Sequence, residues 1–184
     1  MQDPAREIVD IIINLTAALD PDTQKAAVET AYAPDAAFRH PFCLVPAGPH
    51  SRDAILGIYQ AYRVLSPKIV IQVPSVTYDA DKDELFVEVV QYFQLRCSPI
   101  NPAPARLLVH LKLRRSDEDS NLHVIAEHDD FYHPDALAAL LFPPLVPVVR
   151  GLLRVSAMAT NMQSRLGAFL GVWKVQGDEA KKTS

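Results

Sequence analysis

The chain has 184 residues and a formal net charge of −4, and 49% of its residues are hydrophobic while 22% are charged. This length predicts one domain with an appended element, and the composition excludes extended intrinsic disorder. The negative charge argues against a general nucleic-acid-binding protein. Cys43 and Cys97 are the only cysteines, which favours a reducing compartment over a disulfide framework. With no basic, apolar leader at the N-terminus, we expect an intracellular, cytoplasmic protein.

Three helices are predicted in the N-terminal third of the chain. Asp3-Pro4 and Asp20-Pro21 each place a capping side chain before a proline at the first helical position. The first of these helices carries an apolar stripe, and the second is expected to continue through Tyr32. Ser51 is expected to cap a third helix, which Pro67 ends.

Beyond the third helix, apolar residues recur with a period of two, which is typical of strands. Four strands are predicted: Ile69–Tyr78, Glu84–Cys97, Leu107–Leu113 and Leu122–Tyr132. Three helices followed by such a meander predict an α+β fold, in which the helices pack on one face of a bent antiparallel sheet. We expect a cavity at the open end of that sheet.

Two stretches of sequence carry a family resemblance. They are Ala33-Pro-Asp-Ala-Ala-Phe-Arg-His-Pro-Phe, followed by Ser51-Arg-Asp-Ala-Ile, and Val124-Ile-Ala-Glu-His-Asp-Asp-Phe-Tyr. Both resemble motifs of the SnoaL-like and limonene-epoxide-hydrolase-like branch of the NTF2-like superfamily. The resemblance implies an NTF2-like cone with a curved antiparallel sheet of about four to six strands. The proline-bearing C-terminal segment is also similar to that of the fungal SigF-like NTF2-like proteins.

The same resemblance implies a pocket with residues at the motif positions. Asp130 falls where the epoxide hydrolases keep a catalytic aspartate, and His128 falls where they keep a tryptophan. Phe38 and His40 fall where those enzymes use a tyrosine and an asparagine to hold the attacking water. The hydrolases also need an arginine and a second acid on a middle strand, and the corresponding stretch Val89–Phe93 offers neither.

Local geometry gives the polar residues two interpretations. His128 and Asp130 are two residues apart on a strand, so their side chains share a face. They are either a tuned general base, aided by His40, or a buried pair that satisfies local hydrogen bonds. Further pocket-lining residues are expected among the aromatic and amide side chains: Tyr59, Tyr62, Gln91 and Tyr92. No spacing matches a metal motif, so neither a metal nor a cofactor is expected.

The C-terminal segment differs from the rest of the chain. We predict a domain over residues 1–134, an apolar basic helical extension over 135–176 and a disordered tail over 177–184. Residues 136–177 contain no acid and carry four basic side chains, so the remainder must carry −8. Arg150, Arg154 and Arg165 would fall within roughly 60° of one another on a helix.

A helix of this kind is not expected to cross a membrane, because arginines near its centre would each cost about 2.5–3.5 kcal/mol. Three roles stay open. It could lie on a membrane surface with Trp173 and the arginines at the interface, pack on its own or a second subunit's sheet, or act as a lid for the pocket.

Two functions therefore remain open. The first is binding of a small hydrophobic molecule, lipid- or terpenoid-like, with the C-terminal helix associating with a membrane surface or a partner subunit, as in a homodimer. The alternative is a SnoaL-like isomerase, cyclase or hydratase that uses acid–base catalysis by His128 and Asp130.

Overall fold

The computed structural model describes residues 1–173, which form five α-helices, one short 3-10 helix and one six-stranded sheet. The helices are α1 (Pro4–Ala17), α2 (Pro21–Ala31), α3 (Ser51–Leu65), α4 (Pro134–Leu141) and α5 (Val146–Phe169), and the 3-10 helix spans Pro143–Leu145. The strands are β1 (Tyr32–His40), β2 (Cys43–Val45), β3 (Lys68–Asp79), β4 (Glu84–Gln94), β5 (Pro104–Arg115) and β6 (His123–Tyr132). The predicted tail 177–184 lies outside the described residues.

The helix caps follow the sequence signals at two of the three N-terminal helices. Asp3 accepts a hydrogen bond from the Arg6 backbone amide, and Asp20 accepts one of 2.7 Å from the Thr23 amide. The prediction of Ser51 as a cap is wrong. His50 occupies the cap position with a left-handed φ of 64°, and Ser51 is the first helical residue.

The segment after α2 is where the predicted element boundaries fail. The second helix ends at Ala31, and β1 and β2 replace the expected loop, so His40 lies at the end of a strand. Strand β1 pairs parallel with β6, whereas every other pairing is antiparallel. Pro34 lies in a stretch where the β1–β6 register shifts, which is how a strand accommodates a residue that cannot donate to the ladder.

The sheet order β2-β1-β6-β5-β4-β3 and the three N-terminal helices form the predicted cone. Helix α1 packs against β3, and α3 packs against β1. The pairing of β3 with β4 shifts register between Gln72 and Ser75, beside Pro74, and irregularities of this kind bend a strand. One apolar core fills the space between helices and sheet; fully buried members are Ile8, Ile55, Leu85, Val87 and Ile125.

The C-terminal extension contains two different helices. Helix α4, which the sequence analysis missed, packs on β4 and β5, where Ala139 and Leu140 bury against Ala105. Helix α5 contacts α4 and the 3-10 helix, and none of its residues is buried. Within residues 1–173, every helix is too short or too polar to cross a membrane.

Candidate functional site

The cone contains a small cavity between α1, α3 and the concave face of the sheet. Its volume is about 30 Å³, which suits about one water molecule. Fourteen side chains line it: Ile12, Leu15, Thr16, His40, Tyr59, Tyr62, Ile71, Val89, Gln91, Leu107, Val109, His128, Asp130 and Tyr132. The polar members come from β1, α3, β4 and β6, apart from Thr16 of α1.

A chain of hydrogen bonds runs along the polar part of the cavity wall and ends at Asp130. The His128 Nε2 atom lies 2.9 Å from Asp130 Oδ1, and His128 Nδ1 lies 2.6 Å from the Tyr32 hydroxyl. The Tyr32 hydroxyl in turn lies 3.2 Å from that of Tyr59. A carboxylate accepts only, so His128 donates to it through Nε2 and accepts from Tyr32 through Nδ1. This order holds the Asp130 carboxylate at the cavity with one fixed donor.

A second polar group, His40, has its tautomer set by the backbone. Its Nδ1 atom accepts a hydrogen bond of 3.3 Å from the Phe42 amide, so the neutral ring carries its proton on Nε2. Burial lowers the pKa of His40 below its usual value, and the nearby His128 ring acts in the same direction, whereas Asp130 opposes it. At neutral pH His40 is therefore an uncharged hydrogen-bond donor in the cavity wall.

Tyrosine hydroxyls complete the polar part of the wall. The Tyr62 hydroxyl is buried beside the Cys43 thiol and makes no well-formed hydrogen bond among residues 1–173. Gln91 Nε2 donates to the Tyr132 hydroxyl over 3.1 Å. Burial raises the pKa values of Tyr62 and Tyr132, and the charge of Asp130 adds to the effect, so these phenols stay protonated. Both can donate a hydrogen bond.

The structure brings most of the sequence-predicted residues together. The three proposed catalytic residues, His40, His128 and Asp130, line one cavity with Tyr59, Tyr62 and Gln91. Two predicted pocket residues lie elsewhere. Phe38 is a fully buried core residue whose ring centre lies 4.9 Å from that of His128, behind the cavity. Tyr92 follows Gln91 on β4, so its side chain points to the opposite face of the sheet.

Sequence reasoning missed two residues of the polar network. Tyr132 continues the alternation of His128 and Asp130 on β6, so the period of two could have placed it in the cavity. Tyr32 was assigned to the end of a helix, whereas it begins β1 and there reaches His128. Its role required knowledge of the parallel β1–β6 pairing, for which the sequence has no local signal.

The predicted membrane or partner residues lie far from this cavity. Arg150 forms an ion pair with Asp135 of α4 over 2.9 Å. Among residues 1–173, Arg154 and Arg165 have no ion pair, and Trp173 is 86% exposed. No α5 residue lines the cavity and α5 does not contact the sheet extensively, so α5 is neither a lid nor a cover for its own sheet here.

Comparisons with known proteins agree with this architecture. The sequence profile of the SigF NTF2-like domain matches residues 1–172. A comparison with curated proteins finds no significant match. Among solved structures, a candidate aromatic-ring hydroxylase from Novosphingobium aromaticivorans is similar at 13% identity and a TM-score of 0.51, covering 68% of this chain and 85% of that one.

Two further solved structures resemble the chain. One is a candidate polyketide cyclase from Sinorhizobium meliloti, at 18% identity and a TM-score of 0.49, covering 71% of this chain and 99% of that one. The other is a candidate isomerase of the SnoaL-like family from Agrobacterium tumefaciens, at 16% identity and a TM-score of 0.48, covering 68% and 96%. At these identities the likeness concerns the fold alone.

Proposed function

The chain belongs to the SigF NTF2-like domain family, and on that premise we propose that it binds a small, largely apolar molecule carrying one polar oxygen in the cone cavity. The observation that carries this proposal is the composition of the cavity wall. Apolar side chains such as Leu15, Ile71 and Val109 face a few convergent polar groups, as in most small-molecule sites. The C-terminal helix α5 supplies a separate contact surface for a membrane or a partner subunit.

The polar groups define the kind of oxygen that the ligand carries. His40 Nε2–H and the Tyr62 hydroxyl are donors, and the Asp130 carboxylate is an acceptor. A carbonyl oxygen would satisfy the donors, and a hydroxyl group would satisfy both kinds of partner. Because no arginine or lysine among residues 1–173 lines the cavity, a ligand with a free carboxylate or phosphate would meet the charge of Asp130 uncompensated.

The size of the cavity sets a condition on binding. A volume of about 30 Å³ is far below the 300–1,000 Å³ of a typical ligand site. A terpenoid-sized or lipid-like ligand therefore needs the wall to open. The side chains of α1 that line the cavity, Ile12, Leu15 and Thr16, come from a single helix that could move as a unit. Ligand binding is then accompanied by a displacement of α1 relative to the sheet.

A second function, proton transfer, is favoured by the hydrogen-bond chain that ends at Asp130. The carboxylate would remove a proton from a carbon next to a ligand carbonyl. The resulting enolate oxygen would accept hydrogen bonds from His40 Nε2–H and the Tyr62 hydroxyl, and Asp130 would return the proton to another carbon. This sequence is an isomerisation. It needs neither redox change nor a water-activating arginine, which matches the residues present.

The two functions separate in the variant Asp130→Asn. The amide oxygen can still accept from His128 Nε2–H, so the wall keeps its geometry while the base is lost. We expect native mass spectrometry of the purified full-length chain to show a small bound molecule in both the wild type and the variant. Titration with 2-cyclohexenone should shift the His40 ring resonances in both proteins.

Isomerisation of a bound β,γ-unsaturated ketone, 3-cyclohexenone to 2-cyclohexenone, tests the second function directly. Asp130→Asn should lower its rate at least about 100-fold if the carboxylate is the base. Equal rates in the two proteins would remove Asp130 as the base and leave binding alone. Absence of any copurified molecule together with unperturbed His40 resonances would contradict the binding proposal itself.

A further inference from the structure

Two polar side chains of the cavity wall meet across an intervening strand. Gln91 on β4 donates through Nε2 to the Tyr132 hydroxyl on β6 over 3.1 Å. The sheet order places β5 between these two strands, so their backbones lie about 10 Å apart. This pair lines the same cavity as His40, Tyr62 and Asp130 and has no part in the ligand contacts assigned to those three residues.

A small residue on β5 makes this hydrogen bond possible. Ala105 pairs directly with Gln91 and is fully buried. Its methyl group leaves room above the strand, and the two longer side chains meet there. Helix α4 covers this part of the wall, since Leu140 packs with Ala105 and Tyr132. The Tyr132 ring is therefore held by packing, and its hydroxyl is held by the end of the Gln91 side chain.

The hydrogen bond leaves the Tyr132 proton free for another acceptor. A phenol has a single proton, and an oxygen that accepts from an amide N–H keeps that proton for a further bond. Gln91 is the one hydrogen-bond partner of this hydroxyl among residues 1–173. Asp130 lies two residues earlier on the same face of β6, and its negative charge attracts the proton away from Gln91. Burial and the charge of Asp130 both raise the pKa of Tyr132, so the phenol keeps its proton and is a donor on the cavity side.

Ring contacts place this donor beside the donors already assigned to the ligand. The Tyr132 ring meets that of His40 edge to face, with the ring centres 5.3 Å apart. The Tyr62 ring meets His40 in the same manner at 5.9 Å. Such edge contacts favour fixed ring orientations. Because the cavity that the three side chains line is only about 30 Å³, a ligand oxygen inside it lies near all three.

We propose that Tyr132 donates a hydrogen bond to the oxygen of the ligand and that Gln91 positions it for this contact. The inference rests on the proposed binding of a ligand oxygen in the cone, and it adds a third donor to His40 Nε2–H and the Tyr62 hydroxyl. Gln91 acts through Tyr132, because it occupies the acceptor side of the phenol and so turns the proton toward the cavity. A wall with three donors and one carboxylate favours a carbonyl oxygen over a hydroxyl group, which would bring a further proton.

The carbonyl stretching frequency of bound 2-cyclohexenone tests this contact, because each hydrogen bond to a carbonyl oxygen lowers that frequency. Infrared difference spectra of the full-length chain, with ketone that is unlabelled or isotope-labelled at the carbonyl carbon, isolate the band. Tyr132→Phe should raise the frequency and weaken binding about 3- to 10-fold, the usual contribution of one hydrogen bond. Gln91→Met keeps the size of the side chain but frees the phenol to rotate, so it should raise the frequency less.

The double variant tests whether Gln91 acts through Tyr132. In the Tyr132→Phe protein, Gln91→Met should leave the carbonyl frequency unchanged, because the group that it positions is already gone. An effect of Gln91→Met that persists in Tyr132→Phe would show the positioning role to be wrong. If Tyr132→Phe does not fold, the frequency in Gln91→Met alone decides: a rise supports the inference, and no change overturns it.

Tyr62→Phe is the matched control, since it removes the same hydroxyl from a donor that the binding proposal itself requires. A frequency that Tyr62→Phe raises and Tyr132→Phe leaves unchanged would overturn this inference and leave the binding proposal standing. A wild type whose His40 resonances do not respond to the ketone would overturn both.

Discussion

The cone and helix α5 handle apolar and polar side chains in opposite ways. The cone holds a polar network that runs from Tyr59 through Tyr32 and His128 to Asp130, and each side chain has a partner within the network. The first three are buried and Asp130 is half-buried. Helix α5 leaves apolar side chains in water with no partner within residues 1–173. Burying polar groups is tolerable only when each is hydrogen-bonded. The hydrogen-bond chain of the cone is therefore satisfied internally, although the buried Tyr62 hydroxyl beside it makes no well-formed hydrogen bond among residues 1–173, whereas the apolar surface of α5 calls for a second molecule.

The largest expected effect comes from leucine truncations in the two regions. Leu85 is fully buried in the core, and Leu152 on α5 is 65% exposed. Leu85→Ala should lower the free energy of unfolding by about 2–5 kcal/mol, because it removes buried methyl groups and leaves a cavity. Leu152→Ala should change it by less than about 0.5 kcal/mol in the monomer. Urea denaturation of both variants at low protein concentration measures the difference.

The two leucine variants can also be compared as a function of protein concentration. If α5 pairs between copies, the cost of Leu152→Ala should grow as the protein concentration rises through the dimer dissociation constant. The cost of Leu85→Ala should not depend on concentration in this way. A large cost of Leu152→Ala in the dilute monomer would mean that α5 packs on its own domain, and the contrast between the two regions would fail.

The cone was predictable from the sequence because its signals are local. Caps at Asp3 and Asp20 and the period-two runs of β3 to β6 each depend on neighbouring residues. Strand β1 was not predicted because its burial comes from parallel pairing with β6, about 90 residues away. In addition, Pro34 is typical of a turn. Helix α4 was not predicted because it is short and its stability comes from packing on the sheet.

The candidate site was predictable in part for the same reason. His128 and Asp130 share a face by the period of a strand, and the structure places both in the cavity wall. Tyr32 donates to His128 from a strand that the sequence did not reveal. The prediction that Tyr92 lines the pocket is wrong because Gln91 and Tyr92 are adjacent on β4. Adjacent residues of a strand face opposite sides of the sheet, and Gln91 is the one that faces the cavity. Applying the period of two to β4 would have excluded Tyr92 from the set of pocket-lining residues.

An intermediate effect is expected from breaking the hydrogen-bond chain of the cone. Tyr32→Phe removes the hydroxyl between His128 and Tyr59 and leaves buried polar atoms unpaired on both sides, which costs about 1–3 kcal/mol. Tyr59→Phe removes only the outer end, and Tyr32 can still donate to His128. We expect about 0.5–1.5 kcal/mol for that variant, the typical net worth of one hydrogen bond.

Guanidinium denaturation of the two tyrosine variants ranks them. If Tyr59→Phe proves as costly as Tyr32→Phe, the direction of donation inferred for the chain is wrong.

The contrast with α5 is sharpened by Thr160→Val, since the Thr160 hydroxyl bonds the Ser156 carbonyl on an exposed helix surface. Water can replace the lost partner there, so the change should stay within about 0.5 kcal/mol.

The smallest expected effect is a pH dependence of the stability of the cone that comes from His40. Burial lowers the pKa of His40 below the ordinary value of about 6.5. As the pH falls through that value, His40 becomes protonated in the unfolded chain but stays neutral in the folded chain. The free energy of unfolding therefore falls. The contribution is fully present above about pH 6.5 and is lost progressively as the pH falls toward the folded pKa.

Comparing wild type with His40→Gln isolates this contribution. Glutamine can still accept from the Phe42 amide, and it does not titrate. Urea denaturation at pH 8, 7, 6 and 5 should give the variant a flatter stability profile below about pH 6.5 than the wild type. Equal slopes would mean that folding does not shift the pKa of His40. The cavity would then be open to water rather than closed. A steeper slope in His40→Gln would reverse the sign of the shift and place a protonated imidazole against Asp130.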